Sequence, residues 1–249
     1  MSPDSATDAH FTSQASYEVR FEWGERGLRA LAEHAKRFVI VDVLSFTTCV
    51  SISCARGATV FPYSWNERVT AFAAERRALV AAPRFVKDGY SLSPESLAGV
   101  PLGTRIVLPS PNGSQLSFLA SDWGEVFAAS LRNASAVAAR LRAGSGPIAV
   151  IAAGERWPDK SLRPAAEDLL GACAVIAQLH GTVSPEAALA CAAYECAAPS
   201  LERVLRECAS GVELAQLGFA HDIELAAQLD ADAVAPVLRG GAYVAASDP

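Results

Sequence analysis

The chain has 249 residues, of which 51% are apolar and 19% charged, with a formal net charge of −6. That length supplies core for one large domain or two small ones, and the apolar share excludes a disordered tail protein. The acidic balance excludes a general binder of nucleic-acid backbone, which needs clustered Lys and Arg, and no apolar run approaches the length of a bilayer span, so no membrane partner is expected.

The N-terminus, MSPDSATDAHFTSQAS, is polar and acidic, unlike a signal or transit peptide. Residues 1–14 are expected to form a flexible arm, and 15–249 a single domain. Tyr17 to Trp23 alternates as an edge strand does, and Gly27 to Lys36 suits a short helix. The stretch FVIVDVLSFTT, Phe38 to Thr48, is the centre of the reading: an unbroken apolar run marks a strand buried on both faces. Its Ser/Thr cluster then opens a helix from Thr47 to Arg56, which Gly57 ends. Ala58 to Tyr63 reads as a strand. Asn66 caps a helix expected to run through ERVTAFAAERRALVAA to Pro83, and residues 83 to 103 are irregular.

From Thr104 strands and helices alternate: TRIVLPS, the turn PNGS and a short helix; EVFAAS, then ASAVAARLR capped by Asn133; PIAVIAAG, then a helix from Pro164 to His180. This rhythm predicts an α/β domain with a mainly parallel or mixed central sheet. The last third is helix-rich, with a final short strand at Ala235 to Leu238. The six cysteines form no CxxC pair and sit in apolar helical patterns, as buried thiols do in a reducing, cytoplasmic compartment.

Four strand ends finish in small polar groups: Asp42 with Ser45, Thr47 and Thr48; Ser110 with Asn112, Gly113 and Ser114; Ser130 with Asn133; Gly154 with Glu155. If the strands are parallel, these tips share one sheet edge, where hydroxyls, amides and helix N-termini make an anion site. Glu167 and Asp168 open the helix after Pro164. Adjacent helical residues diverge by about 100°, so one of the two is expected to face the sheet edge while the other is solvated or caps a neighbour. With Asp42, either would suit Mg²⁺, which takes one or two carboxylates and completes its shell with water and substrate phosphate. The phosphate loop GxxxxGK[ST], the GxSxG elbow and any HxxxH zinc pattern are absent.

Five segments in this order resemble the 2-phosphosulfolactate phosphatase family, called ComB: VDVLSFTTCVSISCARGA, LPSPNGSQL, SLRNASAVAARL, AAEDLLGACAVIAQL and SGVELAQLGFAHDIELAAQLD. The resemblance covers about residues 38 to 240. It implies a three-layer α/β/α fold and Mg²⁺-dependent hydrolysis of a small phosphorylated hydroxy acid, 2-phospho-3-sulfolactate in the family, on the route to coenzyme M. Two family arginines are missing: Ser45 and Phe46 stand where the family has Arg-Ala, and Pro111-Asn112-Gly113-Ser114-Gln115 where it has Thr-Asn-Gly-Thr-Arg. Arg132, Arg156 and Arg163 lie on neighbouring loops.

Together these readings give an expected site. Asp42, Glu167 and Asp168 are the catalytic and metal-binding groups, and Ser45, Thr47, Thr48, Ser110, Asn112, Gly113, Ser114, Asn133 and Arg163 hold the substrate. Asp222 is expected to lock the C-terminal helices, and a homodimer is expected from the Ala- and Leu-rich helical surface. The rival expectation is a non-catalytic binder of a phosphorylated or sulfonated metabolite on the same scaffold.

Overall fold

In this computed structural model, residues 11–86 and 89–246 are described. β1 (Val19–Trp23) turns at Gly24, whose φ is +57°, into α1 (Gly24–Ala32). β2 (Arg37–Val41), α2 (Phe46–Ala55), β3 (Thr59–Tyr63), α3 (Val69–Glu75) and the two-residue β4 (Leu79–Val80) follow. Next come α4 (Pro94–Leu97), β5 (Arg105–Pro109), α5 (Gly113–Ser121), β6 (Glu125–Ala129), α6 (Ala134–Ala143) and β7 (Ile148–Ala152). A small ribbon, β8 (Glu155–Arg156) with β9 (Leu162–Arg163), leads into α7 (Ala166–Ile176). The last third holds α8 (Pro185–Ala197), α9 (Leu201–Glu207), α10 (Ala209–Gln216) and α11 (Ala220–Ala226), and closes on the hairpin β10 (Pro236–Arg239) and β11 (Ala242–Ala245).

Nine strands make one mixed sheet in the order β1-β7-β2-β6-β10-β11-β3-β5-β4. β1, β7, β2 and β6 are mutually parallel, as are β3, β5 and β4. The hairpin joins the two groups by antiparallel steps, pairing Val237 with Phe127 on one side and Tyr243 with Val60 on the other. Three antiparallel steps separate β6 from β3, so the second group runs opposite to the first.

Every residue of β2 is buried. Val39 and Val41 join a core with residues of α6, α7 and α8, while Phe38 and Ile40 join a second core with residues of α1, α2 and α5. Burying these four side chains contributes about 6–12 kcal/mol, an upper estimate because the unfolded chain already hides some of that surface. This first half of the sheet thus has helices on both faces, the three-layer arrangement. α2 and α5 each pack against β3 as well as β6, so they form a middle layer shared by both halves. That explains why α2 is buried on every side from Phe46 to Cys54, its four Ser and Thr side chains included.

Local departures from the sequence reading have local causes. The helix expected through to Pro83 stops at Glu75, because Arg77 adopts a positive φ of 50° and Leu79–Val80 pairs with β5 instead. The ladder of a neighbouring strand outweighs the helical propensity of ERRAL. The helix expected to reach His180 ends at Ile176. β11 was not expected; Gly240 and Gly241, both at positive φ, make the tight turn that carries it. Of the arm expected over 1–14, residues 1–10 lie outside the described residues, but Gln14 is buried: its amide donates to the Phe21 carbonyl and accepts from the Phe21 N–H.

Candidate active site

Asp42 follows the last residue of β2, at the start of the turn into α2. Thr47 fixes its backbone: the Thr47 hydroxyl donates to the Asp42 carbonyl (2.8 Å) and accepts from the Asp42 N–H (3.0 Å). Thr48 does the same for the next residue, donating to the Val43 carbonyl (2.7 Å). Both threonines are fully buried, so their hydroxyls hold the turn that presents Asp42 and do not face the site.

The Asp42 carboxylate is directed at the start of α5. Its Oδ2 accepts from the Gly113 N–H (2.8 Å) and, more weakly, from the Ser110 hydroxyl (3.5 Å). Only glycine fits at 113, since a Cβ there would lie 2.3 Å from the Phe46 ring and 2.8 Å from Asp42 Oδ2. The tip after β5 therefore does meet Asp42, but the shared sheet edge expected for it does not exist, because β5 runs opposite to β2. The meeting happens because α5 lies in the middle layer against β2 and β6.

Glu167 and Asp168 occupy the first turn of α7, and both are buried, at 2% and 3% exposure. Of the two alternatives expected for the second acid, solvated or capping a neighbour, the structure shows the second, at Asp168. Asp168 clips the loops after β2 and β7 together: Oδ1 accepts from the Val43 N–H (2.7 Å) and Oδ2 from the Gly154 N–H (2.8 Å). Gly154, at φ +66°, allows this, since a Cβ would meet the Arg163 carbonyl at 2.9 Å. Glu167 has a lighter set of partners, with Oε2 accepting from the Cys208 thiol at 3.3 Å.

A fourth acid, Glu155, follows Gly154 at the strand end after β7. Its Oε2 accepts from the Asn112 side-chain amide (3.1 Å), and Asn112 Oδ1 accepts from Arg156 (3.2 Å). The sequence signals for this pair are the polar strand ends Asn112-Gly113 and Gly154-Glu155, and neither is specific.

The charges of Asp42 and Glu167 reach the neighbouring acids. Burial pushes the Asp42 carboxyl up to about 6, with the charge of Glu167 adding to it, against the Gly113 and Phe46 N–H bonds that favour the anion. Burial, then Asp42, then Glu167 raise Glu155 to about 7, opposed by the Asn112 bond and by Arg163. Asp168 is raised well above the carboxylate range by burial and by Asp42 and Glu167. Carboxylates crowded in this way with so little counter-charge are the arrangement expected of a catalytic or cation-binding centre.

The other expected residues divide by what their polar atoms touch. Ser114 donates to the Leu108 carbonyl, and Asn133 accepts from the Ser130 N–H and donates to the Ala128 carbonyl, so both tie down their own turns. Arg163 donates to Ser210 and lies over the Trp157 ring. Arg132 is fully engaged with Asp232, Gln228 and the Leu225 carbonyl. Ser45 accepts from Arg84 (2.9 Å), a cation of the irregular stretch that the sequence did not single out. Arg84 in turn pairs with the fully buried Asp222 (2.5 Å), which also accepts from the Ser93 hydroxyl (2.6 Å). Asp222 thus locks a C-terminal helix to the 83–103 stretch and, through Arg84, to the start of α2.

A cavity of about 640 Å³ opens beside Asn112 and Glu155, bounded by the β1–α1 corner and the ribbon β8–β9. Gln115, one of the two positions where the family arginine is missing, lines it. Among the described residues no helix is long and apolar enough to cross a membrane. The family model for 2-phosphosulpholactate phosphatase matches residues 28–241. No curated protein matches the chain.

Proposed function

Since the chain belongs to the 2-phosphosulpholactate phosphatase family and is a phosphoric monoester hydrolase, we propose that it acts with Mg²⁺ on a small phosphorylated hydroxy acid at Asp42 and its neighbouring acids. The observation that carries this reading is the group of carboxylates gathered from the turn after β2, the first turn of α7 and the segment after β7, in which the charges of Asp42 and Glu167 raise the pKa of their neighbours.

The donor set fits a hard divalent cation. Oxygen ligands suit Mg²⁺, and mutual repulsion among carboxylates is relieved by a positive ion between them. No group of three or more His, Cys, Asp or Glu side chains is assembled as a ligand set among the described residues; Mg²⁺ needs only one or two, because it keeps its waters. Asp42 and Glu167 would hold it. Asp168 accepts short bonds from backbone N–H groups on both oxygens, at 2.7 and 2.8 Å, whereas Asp42 Oδ1 takes only the long 3.4 Å bond from the Phe46 N–H, so Asp42 keeps an oxygen for the cation and the part of Asp168 is to position the loops. Bound Mg²⁺ would supply charge against the phosphate oxygens and lower the pKa of a water.

The remaining work falls to this chain's own groups. The Ser45 hydroxyl and the second N–H of the Asn112 amide are the donors left to orient a phosphate, with the Ser110 hydroxyl available by exchanging its long 3.5 Å bond to Asp42. Glu155, whose carboxyl burial and the neighbouring acids push up to about 7, is the group placed to give a proton to an ester oxygen between Asp42 and the cavity, as general acid for the departing alkoxide. The unpaired state of all six cysteines supports a reducing, cytoplasmic setting.

The test is phosphate release from 2-phospho-3-sulfolactate by the purified protein, with and without Mg²⁺. Release that requires the metal and disappears in Asp42→Asn is the expected result. Full activity in Asp42→Asn, or no release with any phospho-hydroxy acid while such acids still stabilise the fold, would remove the hydrolytic reading in favour of a binder.

A further inference from the structure

We infer that the cavity beside Asn112 is the subsite for a second, strongly anionic group of the substrate, a carboxylate or sulfonate carried on the leaving hydroxy acid, and that Arg156 and Arg26 select for it. Four cationic side chains line this cavity, Arg26, Arg29, Arg156 and Lys160, against two carboxylates, Glu25 and Glu155. The lining is therefore cationic in a chain whose net charge is −6. Such a concave patch of sign opposite to the rest of the molecule concentrates an oppositely charged ligand.

The cations are not equivalent. Arg29 is held by Glu25, its i−4 neighbour (2.9 Å), and Glu25 also accepts from Gln115 (3.1 Å). Arg26 and Lys160 line the cavity without an ion-pair partner among the described residues. Arg156 is oriented by its bond to Asn112 Oδ1, and a guanidinium so fixed presents its remaining N–H groups as a fork suited to carboxylate or sulfonate.

Position ties the cavity to the acids. Asn112 bridges Glu155 and Arg156, and the next residue, Gly113, donates to Asp42. A phosphomonoester with its phosphate at Asp42 would place its acid portion past Asn112, into the cationic lining. The volume of about 640 Å³ falls in the range of small-molecule sites, roughly 300–1,000 Å³. Arg163, expected from the sequence to help hold the substrate, does not line the cavity and is engaged by Ser210 and Trp157.

This inference rests on the phosphatase reading for its place in the reaction, and the experiment separates the two. The first arm compares kcat/KM for 2-phospho-3-sulfolactate with that for glycerol 2-phosphate, which lacks the second anion. The wild-type preference for the sulfonated substrate should collapse at least tenfold in Arg156→Ala and in Arg26→Ala, through KM more than kcat. The second arm needs no turnover: titration calorimetry with 3-sulfolactate, which carries no phosphate. Wild type should bind it, more weakly at high salt, and the double variant should lose at least tenfold in affinity. An unchanged preference ratio together with unchanged 3-sulfolactate binding overturns the subsite. Absence of phosphate release from wild type, with charge-dependent 3-sulfolactate binding intact, overturns the phosphatase reading and leaves the subsite standing. Both arginines are exposed, and matching thermal melts will show that the variants fold.

Discussion

Asp42→Asn separates the chemistry of this site from its stability, and the two should move in opposite directions. The Asp42 carboxyl is raised from its ordinary 3.8 to about 6, chiefly by burial. A shift of about 2 units corresponds to about 3 kcal/mol between the two protonation states. The sign follows from proton counting. Between pH 4 and 6 the folded protein holds a proton on Asp42 that the unfolded chain has lost, so stability falls as pH rises through that window and stays low above it. Asn keeps the size and one acceptor for the Gly113 N–H, but never ionises. In the absence of divalent cations, the variant should match the wild type within about 1 kcal/mol at pH 4, the scale of one altered hydrogen bond. It should exceed the wild type by up to about 3 kcal/mol above pH 7, roughly 6–12 °C in Tm for a domain of this size. Urea or thermal denaturation across pH 4–8 at constant ionic strength measures this. Added Mg²⁺ should narrow the gap by stabilising only the wild type. Phosphate release should be abolished throughout. A variant less stable than wild type at pH 8, or a gap that does not change between pH 4 and 7, would refute the claim that a buried, crowded carboxylate dominates this corner of the protein.

Gly113→Ala puts a methyl 2.3 Å from the Phe46 ring and 2.8 Å from Asp42 Oδ2; it should cost about 1–3 kcal/mol in denaturant titration and reduce phosphate release at least tenfold, and a neutral result would show that this contact is not rigid. Asp222→Asn leaves Arg84 facing Ser45 without its buried counter-charge; a loss of about 3–5 kcal/mol is expected, smaller when Arg84→Met is combined with it, whereas strict additivity would mean the pair is not coupled. The pH–rate profile should have an alkaline limb that falls as Glu155 loses its proton, near 7 without bound metal and lower with saturating Mg²⁺, because the cation offsets the Asp42 and Glu167 charges that help raise it, and Glu155→Gln should lower kcat and flatten that limb; a limb that persists would assign it to another group. Light scattering should give twice the chain mass of 26.1 kDa, with the dimer weakened by Leu189→Glu on the exposed face of α8; a concentration-independent monomer would end the homodimer expectation.

Asp42 could be placed from the sequence because the cues are contiguous: an unbroken apolar run defines a buried strand, and the Ser/Thr cluster after it defines a helix start within the next few residues. The α/β rhythm, the helical last third and the first-turn position of Glu167 and Asp168 are of the same kind, since periodicity and caps act over one or two turns of chain. What those polar residues do was decided elsewhere. Thr47, Thr48, Ser114 and Asn133 look like ligand donors in one dimension, yet each spends its side chain on a backbone group of its own turn. The direction of β5 relative to β2 depends on a hairpin more than a hundred residues later, and with it the reason Gly113 reaches Asp42. Arg84 and Asp222, 138 positions apart, and the cation-lined cavity beside Glu155 exist only once separate elements have packed. Local pattern follows from steric and hydrogen-bonding rules between near neighbours; the charge balance of a site is a sum over groups that the chain brings together from everywhere, and only the folded arrangement sets its terms.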